Sequence, residues 1–221
     1  MKRGKRFWGH ASAKVSGVCV LLIALAISLP AQAVMITFTN FEKFSGGGGA
    51  GTDVSATVED VGSDLVKLTM NANTLAGDDK VKEWYFNVTA APLASGDLSF
   101  LSGKNGSVQV GSNAFKADGD GYFDLIFSFP TSNAAPSLLF GPGDNSVWTI
   151  HHAGITAAQF VSLSSDSGGH GPYYSAMQGG VGWWGTETAP SRTDPVPEPA
   201  TMLLLGTGLV GIAGLRRKNK R

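Results

Sequence analysis

Short runs of alternating apolar and polar residues fill the middle of the chain. Val54, Ala56 and Val58 alternate with serine and threonine, and the segment from Leu65 to Met70 repeats the pattern. A period of two places all the apolar side chains of a strand on the same face. These two segments therefore predict strands with one buried face and one solvated face.

Compact apolar runs bounded by Gly, Asn, Asp or Pro predict further short strands. They occupy residues 34–41, 81–88, 98–101, 107–110, 122–129, 147–150 and 160–163. No long segment between residues 34 and 194 has a clear period of 3.6, although Ile155 to Phe160 suits a single helical turn. Many short strands without helices predict an all-β fold, namely a single antiparallel β-sandwich or jelly-roll-like domain.

The N-terminus has a different pattern, in which a basic start precedes a continuous apolar run. Five of the first fourteen residues are Lys or Arg, and a predominantly apolar run of fifteen residues follows from Val15 to Leu29. Ala31 and Ala33 then form the small-x-small pattern that signal peptidase accepts. We expect residues 1–33 to be a secretory signal peptide that enters the Sec translocon and is cleaved after Ala33. An uncleaved membrane anchor is the alternative.

A second apolar run, from Met202 to Leu215, lies close to the C-terminus. Its fourteen residues would form a helix about 21 Å long, against a hydrocarbon thickness of ~30 Å. Such a segment predicts a short single transmembrane helix in the inner membrane, with basic flanks that snorkel. The bases that keep its end cytoplasmic are Arg216, Arg217, Lys218, Lys220 and Arg221. A buried core helix is the alternative.

Charge is segregated along the chain, although the formal total is zero. The two ends hold ten of the 17 bases and leave 7 bases against 17 acids between them, a net charge of −10. An acidic body repels nucleic acid, so we expect no nucleic-acid partner. The predicted organisation is a signal peptide at 1–33, a β-sandwich body at 34–188, a Pro-rich stalk at 189–196 and a sorting segment at 197–221.

The C-terminal layout resembles the PEP-CTERM sorting domain. The resemblance rests on Val196, Pro197, Glu198 and Pro199, on the Leu- and Gly-rich segment that follows, and on the basic end. It implies recognition and cleavage by an exosortase, a membrane-embedded transpeptidase-like protease of bacteria that make extracellular polysaccharide. Pro197, Glu198 and Pro199 would then be recognised by that enzyme and would not themselves be catalytic. The chain would be anchored transiently and then released to the cell surface or the extracellular space.

Alternating Asp and Gly residues in the body suggest a cation site. Asp118, Asp120 and Asp124 lie in the sequence KADGDGYFD. Calcium prefers several oxygen ligands on a tightly curved loop, which such a segment can supply. Asp and Gly also form ordinary turns before strands. Both interpretations, calcium binding and a plain turn, stay open at this point, and no other cofactor is predicted.

Two further groups of residues bear on chemistry. Four aromatic residues in the Gly-rich interval 168–185 suit either a platform for sugar rings or a buried packing role: Tyr173, Tyr174, Trp183 and Trp184. His151 and His152 follow a predicted strand, where adjacent side chains point to opposite faces, so they are not expected to chelate one metal. No sequence pattern singles out a catalytic triad or a phosphate-binding loop.

These observations favour an exported, non-catalytic protein of the cell surface or the polysaccharide matrix. The sole cysteine, Cys19, falls in the predicted signal peptide, so the mature body would have no disulfide. One alternative is a lectin-like carbohydrate-binding module, with or without calcium. A second is a polysaccharide hydrolase, which requires two carboxylates across a cleft.

Overall fold

The body of the protein is built from antiparallel β-strands. The computed structural model describes residues 33–47, 53–75, 79–90, 92–132, 136–165 and 168–194. Within these residues it contains twelve strands, three single-turn 3-10 helices and no α-helix. The strands form two six-stranded sheets, in which every paired strand is antiparallel. The prediction of an all-β fold with two antiparallel sheets is therefore confirmed.

Sheet A has the strand order β12-β1-β3-β4-β9-β6. Its strands are β1 (Met35–Phe38), β3 (Asp53–Gly62), β4 (Leu65–Thr74), β6 (Leu98–Gly103), β9 (Asp144–His151) and β12 (Ser191–Thr193). The alternation predicted for β3 and β4 is present, because Val54, Ala56 and Val58 are buried while Ser55 and Thr57 are partly exposed. One face of this sheet is therefore the core face, and the other carries polar side chains.

Sheet B has the strand order β2-β11-β10-β5-β8-β7. Its strands are β2 (Glu42–Gly46), β5 (Val81–Phe86), β7 (Ser107–Ala117), β8 (Asp120–Ser128), β10 (Ser175–Gly179) and β11 (Gly182–Thr186). In β5, the three consecutive residues Trp84, Tyr85 and Phe86 are all buried. Because neighbouring side chains of a strand point to opposite faces, sheet B must be covered on both faces.

The main hydrophobic core combines apolar side chains from both sheets. Sheet A contributes residues such as Phe38, Leu68 and Trp148, and sheet B contributes Trp84 and Phe127. The Phe127 and Trp148 rings, from different sheets, lie 5.3 Å apart in an edge-to-face arrangement. Burial between two sheets is what stabilises a sandwich whose described residues include no cysteine.

A second, smaller hydrophobic cluster lies on the other side of sheet B. Its buried members are Tyr85, Ala117, Phe123, Ile126, Tyr173 and Ala176, with Phe44, Phe115 and Trp183 packed against them. The rings of Tyr85 and Phe123 are 5.5 Å apart, and those of Tyr85 and Trp183 are 6.0 Å apart. Tyr173 comes from the loop before β10, so a loop completes the cover of this face.

Several predicted element boundaries need correction. Residues 160–163 are not a strand, because Ala157–Phe160 form a 3-10 turn and no strand follows it directly. The helical turn predicted near this point is confirmed. The Gly-rich interval 168–185 suits either a long loop or a ragged edge strand from its sequence, but it contains the hairpin of β10 and β11, and β10 is an interior strand of sheet B. Residues 191–193 of the predicted stalk form β12.

The predicted export and sorting segments fall mostly beyond the described part of the chain. The signal peptide up to residue 32, including Ala31, and residues 195–221, with the sorting motif and the terminal bases, lie outside the described residues. Within residues 33–194, as far as they are described, no helix combines the length and apolar character needed to cross a bilayer. The signal peptide and the transmembrane helix therefore stay predictions.

Candidate functional site

The two predicted processing junctions lie beside each other on sheet A. β1 begins at Met35, two residues after Ala33 at the predicted cleavage point, and β12 ends at Thr193, four residues before the sorting segment begins at Pro197. The two strands pair antiparallel, with Met35 opposite Thr193. Because paired strands lie ~4.8 Å apart, the chain enters and leaves the folded body at one point of one sheet edge.

A backbone hydrogen bond holds the N-terminal junction close to the folded body, and pairing with β1 holds the C-terminal one. The N–H of Asp60 donates to the carbonyl of Val34 over 2.9 Å, which fixes the first residue of the predicted mature chain. On the other strand, the Arg192 Nε donates to Asp194 over 2.7 Å. Glu198 is the fifth residue after Thr193, so the chain between them can span at most about 18 Å.

The acidic turn predicted as a cation site connects β7 to β8. Asp118 has a positive φ of 53° and Gly119 one of 83°, the backbone of a tight reversal. The Asp120 side chain is buried and accepts a hydrogen bond from the N–H of His170 over 3.3 Å. Asp124 accepts two backbone N–H bonds, from Val88 at 3.0 Å and Asn113 at 2.8 Å. Asp120 and Asp124 therefore have separate structural partners.

The described residues contain no group of three or more His, Cys, Asp or Glu side chains arranged to hold a metal ion. Asp118, Asp120 and Asp124 are thus not brought together as a ligand set in this structure. The Asp-Gly alternation is explained by the β7–β8 turn and by loop anchoring. Calcium binding by this segment stays a prediction that only a titration can test.

The two adjacent histidines have different surroundings. His151 ends β9 and is exposed, whereas the Nδ1 of His152 lies 3.0 Å from the Oδ2 of Asp97. The N–H of Ala94 and the His152 imidazole both hold the pKa of Asp97 below its usual value. This pair joins the turn before β6 to the end of β9, which gives it a structural role.

The four aromatic residues considered as a glycan platform do not share one surface. Trp184 points into the main core, while its neighbour Trp183 packs against the second cluster. Tyr173 is buried in that second cluster, and Tyr174 packs against the main core. Sheet B separates the two clusters, so a flat platform of these four rings does not form. The cause is the alternation of side chains along β11.

An open cleft lies at the β2 edge of sheet B, and one of these four aromatics contributes to it. The cleft has a volume of about 470 Å³ and is lined by Phe44, Tyr173, His170, Glu42 and Glu187, among others. The rings of Phe44 and Tyr173 stack at a centroid distance of 4.7 Å and an angle of 25°. The ring of His170 lies 5.9 Å from that of Phe44. The cleft thus combines aromatic rings with two carboxylates.

Tyr173 is held firmly at the base of this cleft. Its N–H donates to the Oγ of Ser164 over 3.0 Å, and its carbonyl accepts from the N–H of Ser164 over 2.7 Å. Its ring lies over Gly185 of β11, where an added Cβ would come within 2.5 Å of the ring carbon Cδ1. Glycine at this position therefore lets the ring lie directly against the sheet.

The cleft is electrostatically negative around Tyr173. Burial first, and then the nearby carboxylates of Glu187 and Asp120, raise the pKa of the Tyr173 phenol to about 12. The hydroxyl consequently stays protonated at neutral pH. On the same side of sheet B, burial also raises the pKa of Tyr85, whose hydroxyl donates to Glu83.

Sequence reasoning did not find this cleft. Residues 42–46 read EKFSG, with one apolar residue among polar and small ones, so no period marks β2 as a strand. Phe44 gains its role because β2 pairs with β11, far along the chain. The informative signal was Gly185 directly after two tryptophans, since a glycine inside a strand often marks a close approach by another group.

Comparisons with known proteins identify the C-terminal segment. Residues 195–218 match the family model described as the PEP-CTERM protein-sorting motif. No curated protein and no solved structure matches the chain. The resemblance seen in residues 195–221 is therefore confirmed, and the motif implies exosortase-dependent sorting of a secreted surface protein.

Proposed function

We propose that this chain, the carrier of a PEP-CTERM protein-sorting motif, is a non-catalytic protein of the cell surface or extracellular matrix that associates with exopolysaccharide. The signal peptide delivers the body through the Sec translocon, and the C-terminal helix anchors it transiently in the inner membrane. An exosortase then cleaves near Pro197, Glu198 and Pro199. The observation that carries the proposal is the motif match at residues 195–218.

The position of the junctions supports this route. With β1 and β12 paired, both membrane-directed segments are attached at the same end of the same sheet edge. The body can therefore complete both sheets while the segments on either side are still in the bilayer. The reach of about 18 Å from Thr193 to Glu198 keeps the cleavage motif close to this end and so close to a membrane protease.

The use of the acidic side chains supports a non-catalytic body. Carboxylates in the described residues repeatedly accept backbone N–H bonds that close turns. Examples are Asp60 with Ala157 at 2.6 Å, Asp64 with Gly154 at 2.6 Å and Asp144 with Gly141 at 2.9 Å. Carboxylates engaged in this way stabilise loops, which is a structural use of an acidic side chain.

The sorting part of the proposal can be tested by replacing the motif in the producing cell. A variant with Pro197, Glu198 and Pro199 all changed to alanine should stay in the membrane fraction, whereas the wild-type chain is released from it. The matched control changes Pro190 to alanine, a proline upstream of β12. Release of the motif variant at the wild-type rate would contradict the proposal.

The non-catalytic part needs its own test, because Glu42 and Glu187 both line the cleft. The full chain is incubated with neutral, amino and acidic polysaccharides, and new reducing ends are counted. We expect none above the background of a chain carrying Glu42→Gln and Glu187→Gln. Reducing ends that the wild type releases and the double variant does not would establish a hydrolase instead.

A further inference from the structure

We infer that the cleft formed by Phe44, Tyr173, His170, Glu42 and Glu187 binds a neutral or amine-bearing saccharide unit. The inference rests on the proposed association with exopolysaccharide and names the site and the sugar class. It differs from the platform expected from sequence, because Trp183, Trp184 and Tyr174 do not line this cleft.

The aromatic part of the cleft suits the apolar face of a sugar ring. Tyr173 is 3% exposed, whereas Phe44, which stacks on Tyr173, is only partly buried. His170 is exposed beside it. A partly exposed ring that is stacked from behind offers a flat apolar surface, and it loses little conformational freedom when a ligand is bound.

The base of the cleft is already organised for binding. Two hydrogen bonds with Ser164 fix the backbone of Tyr173, the missing Cβ of Gly185 lets the Tyr173 ring lie on β11, and the N–H of His170 donates to Asp120. The neighbouring Tyr174 N–H donates to the carbonyl of Thr186 over 2.9 Å. These four hydrogen bonds order the loop before a ligand arrives, so binding to the Tyr173 side of the cleft does not have to order it.

Polar groups at the rim select hydroxyl-bearing ligands. Glu42 and Glu187 can each accept hydrogen bonds from two hydroxyls, and hydrogen bonds to a charged acceptor are stronger than neutral ones. Asn40 and Thr188 add an amide and a hydroxyl at the same rim. The volume of about 470 Å³ falls in the range of small-ligand pockets, roughly 300–1,000 Å³.

The charged side chains that line the cleft determine which class of sugar can bind. The lining contains two carboxylates, Glu42 and Glu187, against the single cation Lys43. A uronate or a sugar phosphate would bring a further negative charge beside these carboxylates and would be repelled. A neutral sugar meets no such repulsion, and a protonated amino sugar is attracted.

Binding is measured by calorimetry with the full, uncleaved chain in detergent, so that a failure of tail processing cannot affect the result. The probes are neutral glucan oligomers, chitosan oligomers as the amino sugars and alginate oligomers as the acidic sugars. We expect the neutral or the amino oligomers to bind and alginate not to bind. Absence of binding by both expected classes, or a preference for alginate, would overturn the inference.

Variants locate the site. Phe44→Ala should weaken binding at least tenfold, Gly185→Ala should weaken it by displacing Tyr173, and Glu187→Gln should weaken it severalfold. The matched control is Phe100→Ala, which removes a partly exposed phenylalanine from sheet A. Glu187 is exposed, so its variant tests the site even if Phe44→Ala unfolds the chain. If the Glu187→Gln variant and the Gly185→Ala variant both bind with wild-type affinity, the assignment of the binding site to this cleft is overturned.

Discussion

The two sheets share one core but differ on their other faces. The outer face of sheet A is polar, with residues such as Thr57, Thr69 and the Lys67–Glu59 ion pair at 2.6 Å. The outer face of sheet B carries a second hydrophobic cluster around Tyr85 and Phe123, which the 168–174 loop helps to cover. One sheet is thus buried on one side only, and the other is buried on both.

This difference can be traced to the strand sequences. β3 and β4 alternate strictly, which fits a strand with one solvated face. β5 and β8 contain the near-continuous runs WYF and LIF, so both faces of sheet B require cover. The cover is provided by a loop, and the aromatic cleft lies where that loop meets the edge strand β2. The proposed sugar site is therefore a consequence of how sheet B is buried.

The largest expected effect tests whether the second cluster is a true core. Phe123 is fully buried, so Phe123→Ala should destabilise the protein by about 3–5 kcal/mol, through lost burial and the cavity left behind. The measurement is the free energy of unfolding in urea. Thr69→Ala, on the outer face of sheet A, is the control and should change it by less than about 0.5 kcal/mol. Equal effects of the two changes would remove the distinction between the sheets.

A smaller effect is expected from a buried side-chain hydrogen bond between the neighbouring strands β5 and β10 of sheet B. The Ser175 hydroxyl accepts from the Trp84 indole N–H at 3.0 Å and donates to the Tyr85 carbonyl at 2.8 Å, all buried. Ser175→Ala would leave the buried indole N–H of Trp84 unpaired and should destabilise the protein by about 1–3 kcal/mol. Ser107→Ala, in the exposed edge strand β7, is the control. A Ser175 variant as stable as that control would show that water replaces the bond.

The outer face of sheet A should contribute little through its charges. Lys67 and Glu59 are both about one-third exposed, so their pair is screened by solvent. Lys67→Ala should change the unfolding free energy by about 0–1 kcal/mol, and the difference should shrink further in 1 M salt. An effect of several kcal/mol would mean that this face is not the simple solvated surface described above.

The smallest effect concerns pH. The pKa of Asp97 is lowered in the folded state by the Ala94 N–H and by His152, so its contribution to stability is present above its unfolded pKa of about 3.9. That contribution is lost as the pH falls through the folded pKa. Asp97→Asn should therefore reduce the difference in melting temperature between pH 6 and pH 3, measured by thermal unfolding. An unchanged difference in melting temperature would show that the Asp97–His152 pair does not contribute to the pH dependence of stability.

Sequence reasoning was most successful where burial was one-sided. The alternation in β3 and β4 predicted both the strands and the buried residues, since a one-residue shift would expose the whole apolar face. Sequence reasoning did not identify β10 and β11, because their glycines are typical of loops. β10 is nevertheless an interior strand that pairs on both sides. Sequence reasoning also failed at residues 160–163, where burial of Ala157 and Phe160 favours a 3-10 turn over an extended strand.

The sorting motif and the aromatic cleft also differ in how far the sequence alone predicted them. The sorting motif could be recognised from its order of residues alone, because its parts are contiguous in the chain. The aromatic cleft could not, because Phe44 and Tyr173 meet only through the pairing of β2 with β11 and the path of the 168–174 loop. Four aromatics in one interval suggested a platform, but strand alternation placed Trp183 and Trp184 on opposite sides of sheet B.

The central claim is that this body is exported and then released from its C-terminal anchor by an exosortase. Intact-mass spectrometry of the protein from the membrane and from the culture medium tests it most directly, in cells with and without the exosortase. The account predicts a released chain that begins at Val34 and lacks residues 203–221, and only when the exosortase is present. A released chain that keeps its last nineteen residues, or identical masses in both cells, would contradict it.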